Sequence, residues 1–390
     1  MIMHAINVLY LTNNAGRAST TVATKGWIQC LAPSGLRPIV VSPIMGEFSD
    51  WLQQQGWAVF QQPLPFPDRR RPWEFAWAVW KLRRIVARYD VHLVHCNEQD
   101  TYPLGTYVAR LSQRPIMVTV HCRMERGFGQ WAFGGWRRPH RIIFLTHASL
   151  DVCRPAVEGI VPEAAWRVVP NAIDLKRFTT DPLAAKRFRG QYGLEGKILV
   201  GAGTWLRPGK QIEHLIEVVS RIAHPPATLV LAGGIVPGEE DYAREALRLA
   251  ESKLKERFCY LGCIDDLVGM YNALNLYINT SIAETCSISI MESLACGCPV
   301  VGYPSVSVAE QVLPDGGQIV PQNDIDALAA AVREWLTHPE RLAAARPLAR
   351  RQAQRFDIAQ ISQQLWKEYQ DVLAEHRASR RSRFSLASRR

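Results

Sequence analysis

Two carboxylates stand out in the stretch AETCSISIMESLACGCPVV, residues 283–301: Glu284 and Glu292, in company that is otherwise small or apolar. A carboxylate among such neighbours is costly to bury unless donors hydrogen-bond to it, and sugar hydroxyls are donors of that kind. The surrounding sequence reads as a strand over LNLYINT, a loop carrying Glu284, a short helix over SISIMESLAC, a stop at Gly297 and a new strand over CPVVGY. Glu284 is thereby expected at the carboxyl end of a strand, and Glu292 inside the helix that follows it. The N–H groups at the start of that helix, on Ser287, Ile288 and Ser289, favour an anion such as a diphosphate. The plainer alternative has Glu292 paired with an arginine and Glu284 capping the helix.

The elements that must position these residues follow from hydrophobic pattern. Strand candidates in the first half are AINVLYLT, PIVVS, VHLVHC, IMVTVH and RIIFLT; in the second they are KILVGAG, TLVLAGG, RFCYLG, LNLYINT and CPVVGY. Helical segments separate them, among them GKQIEHLIEVVSRIA, with Ile212, Leu215, Ile216, Val219 and Ile222 on one face. Near-continuous apolar strands alternating with helices imply parallel sheets covered on both sides. The expected fold class is therefore α/β, with two Rossmann-like, doubly wound lobes facing a cleft. The expected domains are 1–172, 173–356, a C-terminal crossover helix at 357–375 and a basic disordered tail at 376–390. GAGTWL, at 201–206, lacks the third glycine of a dinucleotide fingerprint, which argues against NAD.

Composition narrows the setting. The chain has 390 residues, 47% hydrophobic, with a net charge of +10. It has no run of about 18 uncharged apolar residues and no cleavable leader pattern, so a cytoplasmic protein is expected, peripheral at the inner face of a membrane where its basic surface leads it there. Nine cysteines show no C-x-x-C pair and no zinc spacing, so neither a structural metal nor a cofactor is expected. Basic residues gather with aromatics at two places. Trp73, Trp77 and Trp80 share one helical face beside Arg69, Arg70, Arg71, Lys81, Arg83 and Arg84, which suits either an anionic membrane surface or packing on the sheet. The segment 127–136, with Phe128, Trp131, Phe133 and Trp136 among arginines, reads as a loop for a phosphorylated or lipid-linked acceptor. Such surfaces also stack nucleobases, but no nucleic-acid-binding motif accompanies them, and nucleic acid ranks low among partners.

On its motifs the chain resembles the GT-B glycosyltransferases, specifically the large retaining family four. Glu284, Glu292 and ACGCPVV match that family's pair of glutamates separated by seven intervening residues, with the following A-x-G-x-P-V-V. VHLVHC, IMVTVHC, RVVPNAIDLKRF, LRPGKQIEHLI and FCYLGCIDDLVGMYNALNLYINTS resemble its other segments, so the likeness covers most of the chain. The resemblance implies roles. Glu284 contacts hydroxyls of the transferred sugar, Glu292 the ribose, Lys210 the diphosphate, and Gly262, Cys263 and Ile264 the base. His121 touches the sugar, and backbone N–H groups at Ser287, Ile288 and Ser289 meet the phosphates. The family's arginine before the lysine is replaced by Thr204 and Trp205; Arg207 is the candidate for that charge, the alternative being a weaker phosphate grip. The turn after the first strand reads NNAGRAST, with Gly16 and Arg17 on the acceptor side. The implied reaction moves a sugar from a UDP-, GDP- or ADP-linked donor to a cell-envelope glycan, glycolipid or lipid-linked acceptor. The alternatives are a catalytically impaired GT-B binding protein and a basic nucleic-acid-binding protein.

Overall fold

The computed structural model describes residues 5–16 and 18–387, which divide into two units, Met1–Ala172 with Ile358–Arg390 and Ile173–Asp357. Seven strands form the sheet of the first unit: β1 (Ile6–Leu11), β2 (Leu36–Ser42), β3 (Ala58–Gln61), β4 (Leu93–Cys96), β5 (Ile116–Val120), β6 (Arg141–Phe144) and β7 (Trp166–Val168), in the order β3-β2-β1-β4-β5-β6-β7. The second unit has six: β8 (Ile198–Gly203), β9 (Ala227–Ala232), β10 (Phe258–Gly262), β11 (Leu276–Asn279), β12 (Val300–Gly302) and β13 (Gly317–Ile319), in the order β10-β9-β8-β11-β12-β13. Every pairing in both sheets is parallel. The central strands are mostly apolar and almost wholly buried because helices cover both faces.

The ten expected strands are all present, and three more were not foreseen. β3, β7 and β13 lie at or near sheet edges and are mostly half-buried, so each is short and lacks the unbroken apolar run that marks a central strand. The segment expected as a loop at 127–136 is largely a helix, Arg126–Phe133. Phe133 and Ala132 are core residues there, and Gly129 lies so close to the helix His147–Val157 that a Cβ would sit 1.7 Å from the Ala156 carbonyl oxygen. A glycine at that contact lets the two helices meet.

The face of the helix Pro72–Arg88 resolves the two readings of its tryptophans. Ala78, Val79, Leu82 and Val86 pack inward, while Trp73, Trp77 and Trp80 are 64%, 50% and 50% exposed. Those rings are not core. Lys81 Nζ lies 3.5 Å from the centroid of the Trp77 ring and the Arg84 guanidinium 4.8 Å from that of Trp80.

The last helix, Ile358–Ala387, runs on past residue 375, where a disordered tail was expected. His376 Nε2 and the Gln113 carbonyl are 3.1 Å apart, and Arg380 donates to Gln113 Oε1 at 2.9 Å, which ties the continuation to the first unit. Deeper in, Tyr369 closes a buried chain of hydrogen bonds: its hydroxyl meets that of Tyr10 at 2.9 Å and His95 Nδ1 at 2.7 Å, and His95 Nε2 meets Thr119 Oγ1 at 2.8 Å. Burial pushes the His95 imidazole down to about 3, so it is neutral and offers one donor and one acceptor. Arg141 and Arg167 both bond Glu368, at 2.8 and 2.7 Å.

Strand order locates the ligand sites. In each sheet the chain winds outward from the central strand, β1 or β8, and then crosses to that strand's other side, to β4 or β11. Loops leaving two adjacent strands in opposite directions open a crevice at their carboxyl ends, the place where open α/β sheets hold ligands.

Tyr369→Phe strands the partners of its hydroxyl in the core, so it should lower unfolding free energy by about 1–3 kcal/mol in urea titrations; an unchanged midpoint would show the chain to be dispensable.

Candidate active site

In the second unit the crevice lies between the loop after β8 and the loop after β11. The first carries the single turn Pro208–Lys210, followed by Gln211 in the left-handed region (φ 47°). The second is bonded directly to it: Ile282 N–H donates to the Gly209 carbonyl at 3.0 Å, and Thr280 Oγ1 to that of Lys210 at 2.9 Å. These bonds bring the Lys210 ammonium onto the Glu284 carboxylate, where Nζ donates to Oε1. Both side chains are largely buried. Ser307 N–H donates to the Glu284 carbonyl at 2.9 Å, so the backbone of Glu284 is fixed as well.

Glu292 lies inside the helix Ile288–Ala295 and is 7% exposed. Tyr271 donates its hydroxyl to Glu292 Oε2 at 3.2 Å, and Arg177 contributes a favourable charge. Burial outweighs both and raises the carboxyl from its ordinary range to about 7. The Ser289 hydroxyl bonds within the same cluster, against Tyr271 and Tyr277, and Tyr277 donates to the Gly203 carbonyl at 3.2 Å. The helix ends at Gly297, whose φ of 75° suits a residue without a side chain. Neither glutamate follows the plainer reading: Glu284 pairs with a lysine from the neighbouring loop, and Glu292 is held by a tyrosine.

Ser287 differs from the expected anion site. Its N–H donates to Gln311 Oε1 at 2.9 Å, and Gln311 Nε2 donates back to its carbonyl at 3.0 Å, so the fold itself consumes that donor. Ile288 is buried and Ser289 half-buried. Gly262, at φ 62°, accepts from Gly233 N–H at 2.7 Å, and Cys263 is exposed with Ile264 half-buried beside it. Arg207 is exposed at the start of the lysine turn.

On the first unit, His121 follows β5, and burial pushes its imidazole down to about 4, so it is neutral at physiological pH. The backbone N–H of His121 donates to Gln99 Oε1 at 3.1 Å. Gly16 is exposed in the loop after β1, and Arg17 lies outside the described residues. Trp131 packs against Phe128 and Phe66, with centroids 5.8 and 5.9 Å apart, and Trp136 against Tyr107 at 5.1 Å; both remain substantially exposed.

Sequence reasoning missed Tyr271, Gln311, Trp205 and Glu98. Tyr271 and Gln311 are polar residues inside apolar helical patterns, which carry no signal by type alone. Trp205 was noticed only as a replacement, yet it stands by the 262–264 segment: a Cβ on Gly234 would lie 2.7 Å from its ring and 2.8 Å from Cys263 Sγ. Glu98 follows the strand VHLVHC, and its position at a strand's carboxyl end was the available clue.

Two family models match. Residues 186–352 fit "Glycosyl transferases group 1" and residues 23–177 fit "Glycosyltransferase Family 4". The chain is 31% identical over 280 residues to a GDP-mannose-dependent alpha-(1-6)-phosphatidylinositol monomannoside mannosyltransferase of Mycolicibacterium smegmatis, spanning 68% of this chain and 72% of the relative. It is 25% identical over 301 residues to that organism's phosphatidyl-myo-inositol mannosyltransferase, covering 75% and 74% of the two chains. HepE of Anabaena, solved with UDP and glucose, shares the fold with a TM-score of 0.82 at 22% identity, covering 94% of this chain and all of that one.

A carboxyl raised to about 7 makes a signed prediction. Between about pH 4.5 and 7 the folded protein holds a proton on Glu292 that the unfolded chain has released, so stability falls as pH rises through that window and levels off above it. Glu292→Gln removes this slope. The variant should therefore gain roughly 1–3 kcal/mol over wild type at pH 8 relative to its difference at pH 5. Urea titrations at the two pH values measure this, and equal differences at both would count against it.

Proposed function

The chain belongs to glycosyltransferase family 4, with the GT-B fold and a nucleotide-sugar donor, and from that premise we propose that it is a retaining enzyme acting on a glycolipid or cell-envelope glycan. The observation that carries the site reading is the Lys210–Glu284 pair at the crevice of the second unit. In this reading the pair is the resting arrangement of two groups that each have a task in transfer. The Lys210 ammonium bonds the diphosphate, and Glu284 accepts from hydroxyls of the sugar. Negative charge grows on the leaving diphosphate as its bond to the sugar lengthens, and a fixed cation stabilises that charge more in the transition state than in the ground state. Arg207 adds a second cation, and the N–H groups of Ile288 and Ser289 add dipoles. Glu292 accepts from the ribose, and Gly262, Cys263 and Ile264 face the base with Trp205 beside them. His121, neutral, acts on the sugar as a hydrogen-bonding group rather than as a cation. Neither a purely binding role nor a nucleic-acid-binding role is favoured, since neither has a use for the glutamates and the lysine.

The acceptor class draws on relatives whose names describe mannosyl transfer to phosphatidylinositol lipids. It also draws on the exposed tryptophans of the helix Pro72–Arg88 and their arginine and lysine neighbours, a face suited to an anionic bilayer. Each basic residue near such a surface contributes about 1 kcal/mol.

Incubation with GDP-mannose, UDP-glucose or ADP-glucose, alone and with phosphatidylinositol vesicles or a cell-envelope lipid extract, followed by mass spectrometry, tests the function. One donor should be consumed, with a sugar added to lipid. Consumption of none would overturn the reading. Glu284→Gln and Lys210→Ala should each lower transfer by about 100-fold or more while the protein stays folded; near-normal turnover in both would remove the site assignment.

Sedimentation with phosphatidylglycerol vesicles should pull down the protein far more than sedimentation with phosphatidylcholine alone. Replacing Trp73, Trp77 and Trp80 by serine should abolish this without lowering thermal stability. Equal absence from both pellets, or preference for single-stranded RNA, would contradict the membrane assignment.

A further inference from the structure

The first unit has its own crevice at the carboxyl ends of β1 and β4, and a buried glutamate closes it. Glu98 follows β4 and is 6% exposed. Its carboxylate gathers donors from the turn that leaves β1: Thr12 Oγ1 at 2.8 Å and Asn14 Nδ2 at 3.2 Å to Oε1, and Asn13 N–H at 3.1 Å to Oε2. Asn97 Nδ2 adds a longer bond at 3.4 Å, and Asn97 is itself bonded to Thr24 Oγ1 at 2.8 Å. The turn is gripped from the other side by Phe48 N–H, which donates to the Ala15 carbonyl at 2.9 Å. The next residue after the glutamate, Gln99, accepts from His121 N–H, so one short segment holds the loop after β1 and the loop after β5. At the end of the turn Gly16 is exposed, with nothing within 4 Å of where its Cβ would stand.

The choice of residue is informative. An ionised carboxylate is acceptor-only and satisfies several donors at once, which an amide does not. Burial nevertheless raises the carboxyl, a cost that a turn built for stability alone would avoid. Costly ionisable groups at ligand-binding edges of a fold are characteristic of functional sites.

We infer that Glu98 is a positioning residue for the acceptor, fixing the turn at residues 12–16 in the shape that the acceptor meets. The inference rests on the transfer reading given above, with the acceptor taken by the first unit. It extends that reading to a residue with no part in holding the donor.

The test compares wild type, Glu98→Gln and Asn14→Ala with the donor and lipid found active in the panel of nucleotide sugars, phosphatidylinositol vesicles and envelope lipid. Glu98→Gln turns an N–H₂ group toward one of the donors. The acceptor KM should rise about tenfold or more, kcat should stay within about threefold, and hydrolysis of the donor by water should be unchanged. Asn14→Ala should show a smaller rise of the same kind, and it decides the matter if Glu98→Gln does not fold. A merely structural role would instead lower kcat for transfer and hydrolysis together, in proportion to folded protein, and that result would overturn the inference. So would an acceptor KM within twofold of wild type in a folded variant. Wild type that consumes no donor would sink the transfer reading itself, whereas normal wild-type transfer with an unmoved acceptor KM sinks only the role of Glu98.

Discussion

A carboxylate withdrawn from water must be given a counter-charge or several hydrogen-bond donors, and the loops of this chain are arranged around that requirement. Strand order in each sheet reverses beside the central strand, so two loops face one another there. In the second unit the facing loops supply Lys210 and Glu284. In the first they supply Thr12, Asn13 and Asn14 on one side and Glu98 on the other. The same topological accident is met with two chemistries: a lysine–glutamate ion pair, and a network of neutral donors around a carboxylate.

The ion pair is the more adaptable of the two. A buried pair gains little net stability, because desolvation offsets much of the attraction, and removing one member leaves the other stranded. Its value here lies in keeping a cation and an acceptor close together with their backbones fixed. Glu292 shows the opposite state. Burial raises its carboxyl, and one tyrosine hydroxyl with the charge of Arg177 does not offset that cost. In the proposed reading, hydroxyls of the donor's ribose supply the missing hydrogen bonds.

Most of the architecture was legible because parallel strands buried on both faces leave long apolar runs, and because the glutamate pair with its A-x-G-x-P-V-V sequel is distinctive. What escaped has physical causes. β3, β7 and β13 are short and only partly covered, so their side chains do not betray a two-sided core. The helix Arg126–Phe133 was hidden by four glycines in or beside it, one of which, Gly129, serves a helix contact rather than a turn. Ser287 looked like an anion ligand from its place at a helix start, but Gln311, far along the chain, takes its N–H; tertiary partners of that kind leave no local trace. The tryptophans at Trp73, Trp77 and Trp80 had a spacing compatible with either core or surface, and only exposure separates the two.

A crystal structure with an intact nucleoside diphosphate sugar tests the central claim most directly. The account predicts Lys210 Nζ within hydrogen-bond distance of a phosphate oxygen, a sugar hydroxyl on Glu284 and the ribose on Glu292. It is contradicted if the nucleotide binds elsewhere while Lys210 and Glu284 keep their pairing and Glu292 remains bonded to Tyr271 alone.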